Sequence, residues 1–570
     1  MKKVFIGHRG VGKTQLLKRH ATYFPKIRHF DLDEEIEKQI NCGLTEYFQQ
    51  FGEAGFRKLE AQIFEKLVCE NSEYIVSLGA GFDVSGISNG IEIIFVSRVT
   101  DQDGRIFLNR PRLDVALSPL DEYKNRFNAR NSGFLKYAGR IYHLPEGLDF
   151  ENETEKTILT DRFLIRDAYY TLSYQDLNRI DILVGNYKNI ELRTDLLDRR
   201  TIEDLLVRFP DHNWLVSIRT SEKISYKNAK NTDVDFNCYL EGCQILSSHA
   251  DQIKIGINQL AVKQTQKLHL KLCPLVKNLD ELSIGHEWQQ QDPDNRSFLP
   301  RSINGKWLWY RQLAKYQQKF NFIRNFADIP DQPSLSEWLT LPDLKPEFWS
   351  AVLGQPVHFS RSPVEHQKYF SKRNSFFTKI ELSSEEFENK LKFLIQLGLK
   401  YAAVTSPLKE CAFKISHFKT QIAEELKSAN TLFIDDQKVH SHNTDVAGFK
   451  ELVKNFRATD KVAIWGGGGT LKMMKSVLPE ATLYSSQSGR MRDETMPQPS
   501  SFDYLIWAAP GSTQPQDILE IKAVIDLNYT ENSTGLEFAA RRKISYTSGI
   551  EMFKLQALKQ QEFWSLNERK

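Results

Sequence analysis

The stretch Val4-Phe5-Ile6-Gly7-His8-Arg9-Gly10-Val11-Gly12-Lys13-Thr14 decides how the start of the chain folds. Residues 4–7 are a short apolar run of the kind a parallel sheet buries, and a helix-like run follows Thr14. Between them, Gly7 to Thr14 match the pattern GxxxxGK[ST]. In a strand–loop–helix setting that pattern is a phosphate cradle. Backbone N–H groups around Gly10 and Gly12 wrap the phosphates of a nucleoside triphosphate, Lys13 reaches the β and γ oxygens, and the Thr14 hydroxyl ligates magnesium.

Outward from this loop the alternation continues. Strand patterns recur at 74–79 (YIVSLG) and 91–97 (IEIIFVS), with charged amphipathic stretches at 33–39 and 56–69 between them. Further strand-like runs stand at 181–185 (DILVG) and 190–197 (IELRTDLL), whereas 287–304 is polar and carries few signals of either kind. Proline-bounded turns cluster at 328–346 (DIPDQP, LPDLKP) and read as a linker, after which a fresh α/β pattern runs to the end. The class is therefore α/β and multidomain, since 570 residues exceed one core and ~150 residues per domain gives three or four.

Composition narrows the partners. Hydrophobic residues are 41% and charged residues 26%, as in ordinary soluble domains, and the formal charge of +3 gives no nucleic-acid or membrane-surface footprint. No apolar run approaches the ~18 residues of a spanning helix. The basic start, Met1-Lys2-Lys3, is followed by no apolar h-region of the ~7–15 residues a leader carries before Gly7, so no secretory leader is expected. Six cysteines without a CxxC pair or zinc spacing read as reduced thiols of a cytoplasmic protein.

More chemistry follows the cradle. Phe30-Asp31-Leu32-Asp33 sets two carboxylates at a strand end, Gly52-Glu53-Ala54-Gly55-Phe56-Arg57 brings an arginine to a helix start, and Gly79-Ala80-Gly81 follows a strand. Arg110-Pro111 lies in a charged loop, with Arg130 beyond it. In this order and spacing residues 1–165 resemble shikimate kinase. The resemblance implies ATP and Mg2+ as cofactors and shikimate as the phosphoryl acceptor. It implies Asp31 near magnesium, Asp33 and Arg57 on the shikimate hydroxyls and carboxylate, Gly79 and Gly81 beside the substrate, Arg130 on the carboxylate, and Arg110 on the transferred phosphate. A planar guanidinium suits a carboxylate because it makes two parallel charge-assisted hydrogen bonds, and an aspartate can take the attacking hydroxyl's proton. Ala80 departs from the family's three glycines.

In the middle, Ile190-Glu191-Leu192-Arg193-Thr194-Asp195 and Ser217-Ile218-Arg219-Thr220 resemble type I dehydroquinate dehydratase, a barrel family that uses a Schiff-base lysine and a histidine. The resemblance implies roles for Glu191, Arg193 and Arg219, with His249 as acid/base and either Lys254 or Lys271 as the amine. Residues 166–341 fall short of the ~200 a complete barrel usually needs, so a truncated, degenerate barrel is expected.

From 342 onward five blocks appear in order: Gly354-Gln355-Pro356-Val357-His358-Phe359-Ser360-Arg361-Ser362-Pro363, Val404-Thr405-Ser406-Pro407-Leu408-Lys409, Ser428-Ala429-Asn430-Thr431, His442-Asn443-Thr444-Asp445, and Gly549-Ile550-Glu551-Met552-Phe553-Lys554-Leu555-Gln556. Two serines at i and i+2 can present hydroxyls to one carboxylate. The constellation resembles shikimate dehydrogenase. That implies a substrate-binding domain at 342–455 plus 546–570, a Rossmann domain at 456–545, Lys409 and Asp445 as the catalytic pair, and Ser360, Ser362, Thr405, Asn430 and Gln556 around shikimate or 3-dehydroshikimate. Ala403 replaces the family's usual asparagine. A strand into Gly466-Gly467-Gly468-Gly469-Thr470 brings amides and a helix start to a pyrophosphate. No acidic residue ends the next strand at 481–486, and Arg490 and Arg492 follow, which selects NADP(H) over NAD. Ala508-Ala509-Pro510-Gly511 fits the nicotinamide side.

Kinase-like, dehydratase-like and dehydrogenase-like segments in this order resemble the last three parts of the fungal pentafunctional arom polypeptide, and equally a quinate-pathway repressor built from the same folds. Two functions are thus expected to compete: a multifunctional shikimate-pathway enzyme, or a quinate- or shikimate-sensing regulator. Lys13, Thr14, Asp33, Arg57, Lys409 and Asp445 favour the enzyme, because a sensor has no need of a proton-donating lysine.

Overall fold

The computed structural model describes residues 1–568 except 41, 89, 108–111, 113, 115, 145–152, 221–225, 227, 239–242, 263–267, 325–329, 494–498, 510–513 and 516–519. The chain is a mixed α/β multidomain protein with four sheets. It divides into two units, Met1–Arg98 with Arg130–Lys345, and Val99–Ala129 with Pro346–Lys570. The sequence boundaries placed 99–129 wholly within the kinase-like segment, whereas its contacts put it in the second unit.

The first unit begins with a parallel five-stranded sheet of chain order 2-3-1-4-5. Its strands Lys2–Ile6 and Tyr74–Ser77 are buried almost throughout, because helices cover both faces. One face packs Val4, Ile6, Tyr74 and Val76 with Phe56 and Phe64, and the other packs Phe5, Ile75 and Ile94 with Leu16 and Leu17. The helix Leu44–Glu70 breaks at Gly52, whose φ of 68° a side chain would disfavour, so a second helical stretch starts just before Arg57.

The second sheet of this unit has eight parallel strands in the order 7-6-5-4-3-2-1-8: Ile165–Leu172, Tyr187–Arg193, Asn213–Ile218, Asn231–Asp235, Ile245–Ser248, His269–Leu272, Arg296–Phe298 and Phe322–Ile323. The stretch expected to be a truncated, degenerate barrel thus holds eight parallel strands in a barrel-like order among the described residues. Economy comes from strands as short as two or three residues and from two connections, after the third and fourth strands, that hold no helix among the described residues. Three local readings also change. DILVG is not a strand but part of the helix Ile180–Asn186, which buries Ile180 and Leu183 one turn apart. The polar stretch 287–304 holds the end of the helix Leu279–Gln290 and the strand Arg296–Phe298, whose Phe298 is buried against Gly285. The expected linker contains the helix Leu335–Leu339, started by a capping box between Ser334 and Glu337 and anchored by the buried Trp338.

In the second unit, a six-stranded mixed sheet (order 2-1-3-5-6-4) runs from Trp349–Gly354 to Lys438–His442 and takes the C-terminal helix Ile550–Glu568 against it. A parallel five-stranded sheet of order 2-1-3-4-5 spans Val462–Gly466 to Ser545–Thr547. Its central strand, Ser501–Ala508, buries Trp507 beside Trp465.

Candidate functional site

Three clusters of chemistry sit at strand ends. In the first sheet, Gly7, Gly10 and Gly12 have φ of 150°, 74° and 107°, conformations that let the loop wrap before the helix Lys13–Tyr23. Lys13 Nζ donates to the carbonyls of Gly7 (2.8 Å) and His8 (3.2 Å). Thr14 Oγ1 donates to Asp31 Oδ2 at 2.6 Å, which brings the expected magnesium pair together. A hydroxyl and one carboxylate fit a Mg2+ that takes its other ligands from phosphates and water.

The expected acceptor residues also converge. A Cβ on Gly79 would lie 2.7 Å from Glu60 Oε1 and 3.2 Å from Asp33 Oδ1, and one on Gly81 would fall onto the Arg57 guanidinium. Arg57 Nη1 donates to Glu60 Oε2 at 2.6 Å. Burial pushes the Glu60 carboxyl upward, and Arg57 and Arg130 pull against it. Glu60 was missed in the sequence. Its signal was its place three residues after Arg57, one helical turn away. Arg110 lies outside the described residues.

The eight-stranded sheet carries a cluster of buried polar groups on its strands. Glu191 accepts from Ser217 Oγ (2.6 Å) and Thr171 Oγ1 (2.7 Å), and Arg193 forks onto Asp195. Lys254 is exposed on the helix Ile253–Val262, outside this cluster, while Lys271 is buried on the strand His269–Leu272. Lys271 is ion-paired with the fully buried Asp233, which also accepts from Arg219 at 2.7 Å. Burial raises the Asp233 carboxyl, but Arg219 and Lys271 more than offset it and hold it far below the usual carboxylate range. His249 Nδ1 is 2.6 Å from Asp235 Oδ2, so the histidine is oriented by a carboxylate. Cys273, unremarked in the sequence, is buried beside it. Burial raises its thiol, and the hydrogen bond and charge of His249, with Lys271 and Arg311, bring it down to about 7.

The third cluster is the most complete. Lys409 opens the helix Lys409–Ile415 and Asp445 opens Asp445–Leu452. Lys409 Nζ donates to Asp445 Oδ2 at 2.7 Å. Asn430, fully buried, donates to Asp445 Oδ1 (2.9 Å) and Thr444 Oγ1 (3.0 Å) and accepts from the Thr444 N–H (2.9 Å). Its own carbonyl accepts from Gln560, one turn beyond Gln556 and not singled out in the sequence. Gln556 is half-buried on the same helix. Ser360 Oγ donates to Ser362 Oγ at 3.2 Å, and both serines are buried. Thr405 packs on Gly354, and Gln355 N–H donates to the Ser406 carbonyl at 3.0 Å, so the serine loop and the lysine loop are joined. Ala403 lies in an apolar cluster with Val352, Phe370 and Trp564.

In the last sheet, Gly466, Gly467 and Gly468 have φ of 88°, 109° and 36°. A Cβ on Gly467 would press on Met474 at 2.9 Å, whereas Gly468 and Gly469 face open space, which leaves room for a pyrophosphate before the helix Leu471–Val477. Thr470 Oγ1 closes the turn onto the Gly467 carbonyl at 2.7 Å. The strand Thr482–Tyr484 ends in Ser485, and Arg490 and Arg492 are exposed beyond it, with Arg492 donating to the Gly466 carbonyl at 3.0 Å. That donor set fits a 2′-phosphate. Pro510 and Gly511 lie outside the described residues.

Comparison with known proteins agrees with two of these clusters. Residues 9–91 match the family "Shikimate kinase" and residues 352–432 match "Shikimate dehydrogenase substrate binding domain", so both kinds of domain are present in one chain. Among curated relatives, the shikimate dehydrogenase (NADP(+)) of Acinetobacter baumannii strain SDF is 26% identical over 254 residues, covering 38% of this chain and 94% of the relative. That of Helicobacter pylori strain J99 is 30% identical over 234 residues, covering 36% of this chain and 88% of the relative. Among solved structures, shikimate dehydrogenase 1 from Peptoclostridium difficile is 24% identical with a TM-score of 0.33, covering 38% of this chain and 91% of that one. Through its C-terminal portion, then, the chain belongs to the shikimate dehydrogenase family.

Proposed function

We propose that the chain is a multifunctional shikimate-pathway enzyme, reducing 3-dehydroshikimate to shikimate with NADPH and phosphorylating shikimate at the 3-hydroxyl with ATP and Mg2+. The observation that carries this is the Lys409–Asp445 pair, joined at 2.7 Å and braced by Asn430. NADPH, when bound, supplies the hydride. Lys409 donates a proton to the carbonyl oxygen of the substrate, and Asp445 orients that ammonium and a ring hydroxyl. The serine pair Ser360 and Ser362 takes the substrate carboxylate, with Thr405 and Gln556 at the ring. Gly466 to Thr470 hold the pyrophosphate, and Arg490 and Arg492 hold the 2′-phosphate. In the kinase domain, Gly10, Gly12 and Lys13 bind phosphates, Thr14 and Asp31 hold magnesium, Asp33 takes the hydroxyl proton, and Arg57 and Arg130 clamp the carboxylate beside Gly79 and Gly81. ATP, when bound, supplies the phosphoryl group, and Arg110 is assigned to it.

The barrel has a different standing. An amine that attacks a carbonyl must be neutral. Lys271 is instead held against the fully buried carboxylate of Asp233. We assign no dehydratase activity to it.

The test is NADP-dependent oxidation of shikimate, followed at the nicotinamide absorbance, for wild type and Lys409→Ala. Turnover that falls at least ~10²-fold in the variant is the expected outcome. Saturable binding of shikimate and NADPH with no turnover in wild type would instead support the sensing regulator.

A further inference from the structure

Within the second unit, residues 101–106 run as a strap that touches both of its sheets' loops. Arg105, 1% exposed, is ion-paired with Asp101 and Glu531 and donates to Tyr123 Oη at 2.7 Å. The Ile106 N–H donates to the Glu531 carbonyl at 2.8 Å, and Asn532 Nδ2 donates to the Asp103 carbonyl at 3.1 Å. Glu531 and Asn532 follow the strand Glu520–Asp526, so this end is fixed to the cofactor sheet. The other end reaches the substrate sheet, where Asp103 Oδ2 is 2.8 Å from His358 Nε2. His358 stands in the loop after the strand Trp349–Gly354, two residues before Ser360. The same loop is held from its other side by Lys379 Nζ, which donates to the His358 carbonyl at 2.6 Å.

A loop that must present two serine hydroxyls to one carboxylate binds well only if its geometry is set beforehand, since ordering it at the moment of binding costs affinity. The backbone of this loop is tied down by Lys379, and its one outward charged ring is tied down by a residue 255 positions earlier in the chain. We propose that Asp103 is a positioning residue of the dehydrogenase site, holding His358 and through it the Ser360–Ser362 pair in the geometry that takes the substrate carboxylate. The proposal rests on the reading of that serine pair given above. It makes residues before the kinase-like helix Pro119–Tyr137 part of the dehydrogenase's working structure.

The charges facing His358 set the sign of its pH dependence. The hydrogen bond that the ring donates to Asp103 raises the imidazole above its ordinary value. Burial and Lys379 oppose the rise, and Asp103's charge and Glu381 add to it. Below that raised value the imidazolium–carboxylate pair is intact. As pH climbs through it, the charge is lost, the tie weakens and substrate affinity falls. Removing the Asp103 charge removes the tie at every pH, and this fall with it.

The experiment uses the full chain as wild type, Asp103→Asn, Asp103→Ala and Asp103→Glu. It measures the shikimate Kd by calorimetry and the kinetics of shikimate oxidation, from mildly acidic to mildly alkaline pH. The expected result is a Kd and KM raised about 5- to 10-fold in the Asn and Ala variants, part of what one charge-assisted hydrogen bond is worth. Turnover number and the KM for NADP stay within about twofold, Asp103→Glu recovers most of the affinity, and the pH dependence of affinity flattens in Asp103→Asn. Unchanged Kd and pH profile in Asp103→Asn, with wild-type binding intact, overturns the proposal alone. A wild type that does not bind shikimate overturns the serine reading and the proposal with it. A matching fall in turnover number, or a lowered unfolding midpoint shared by all three variants, shows a general structural role and also overturns it.

Discussion

Replacing Gly81 with alanine tests the kinase cleft at its tightest point. The added methyl would fall onto Nη2 of Arg57 and stand 2.6 Å from its Cζ, closer than real Cβ contacts come. What lies in the way is the tip of a long side chain that is 27% exposed, so the arginine swings aside and the fold survives. In swinging it leaves Glu60, its partner at 2.6 Å, and whatever carboxylate it was to hold. A hydrogen bond to a charged group contributes about 1.5–3 kcal/mol. At 1.36 kcal/mol per tenfold, the KM for shikimate should rise roughly 10- to 150-fold. The KM for ATP should stay within about twofold, because the added methyl meets Arg57, which the proposed function places on shikimate. ADP release coupled to a nicotinamide readout measures both constants, and Arg57→Ala supplies the reference loss. A shikimate KM unchanged in Gly81→Ala, alongside a large effect in Arg57→Ala, would refute the steric argument. No effect in either would refute the placement of Arg57 on the substrate.

Other consequences are as specific. Asn430→Ala strips hydrogen bonds from the buried Asp445 and Thr444, so chemical denaturation should show a loss of at least about 2 kcal/mol, and a loss below about 0.5 kcal/mol would contradict the network. His366 is fully buried, and burial lowers its imidazole from 6.5 to about 4 despite the hydrogen bond its Nε2 makes to Gln560 Oε1. The unfolded chain therefore takes up that proton first, and stability that is complete above about 6.5 drains away as pH falls toward about 4. Denaturation midpoints across that window should slope less steeply in His366→Asn, and an unchanged slope would exclude the histidine as the cause. For Cys273, burial and thiolate character oppose one another. At 3% exposure access decides, so iodoacetamide should label the exposed Cys69 well before it, and mass spectrometry showing the reverse order would mean that the barrel mouth opens.

What the sequence disclosed and what it hid divide along physical lines. The phosphate loop was legible because its function is carried by local backbone geometry, glycines at positive φ between a strand and a helix. Lys409, Asp445 and Asn430 were legible for a related reason: each stands at a strand end or helix start, where short motifs fix position. The choice between Lys254 and Lys271 stayed open, although the alternation in His269-Leu270-Lys271-Leu272 marks a strand and Ile253–Val262 a helix. DILVG misled because a short apolar run fits strand and helix alike until its buried spacing is known. The eight strands escaped because two- and three-residue strands leave no period to detect. Asp103 and His358 could not have been paired at all, since nothing in a sequence links residues 255 apart without a partner to compare.

Two lysine–aspartate pairs in this chain show why residue identity does not assign chemistry. Lys409 and Asp445 meet at helix starts with side-chain exposures of 20% and 5%, next to a serine loop and a turn that leaves room for a cofactor. That exposure leaves the Lys409 ammonium open to exchange with a ligand, as the proposed proton donor needs. Lys271 and Asp233 have side-chain exposures of 3% and 0%, and Asp233 is committed to Arg219 as well. Breaking that pair to free an amine would strand a buried carboxylate beside one cation instead of two, a loss of about 3–5 kcal/mol before any chemistry starts. The geometry thus fits Lys271 as a structural counter-ion to Asp233, and Asp233→Asn tests that role against a nucleophilic one. If Lys271 is structural, the variant loses stability and gains no carbonyl reactivity. If it is a suppressed nucleophile, borohydride in the presence of a keto acid should trap an adduct on Lys271 in the variant and none in wild type.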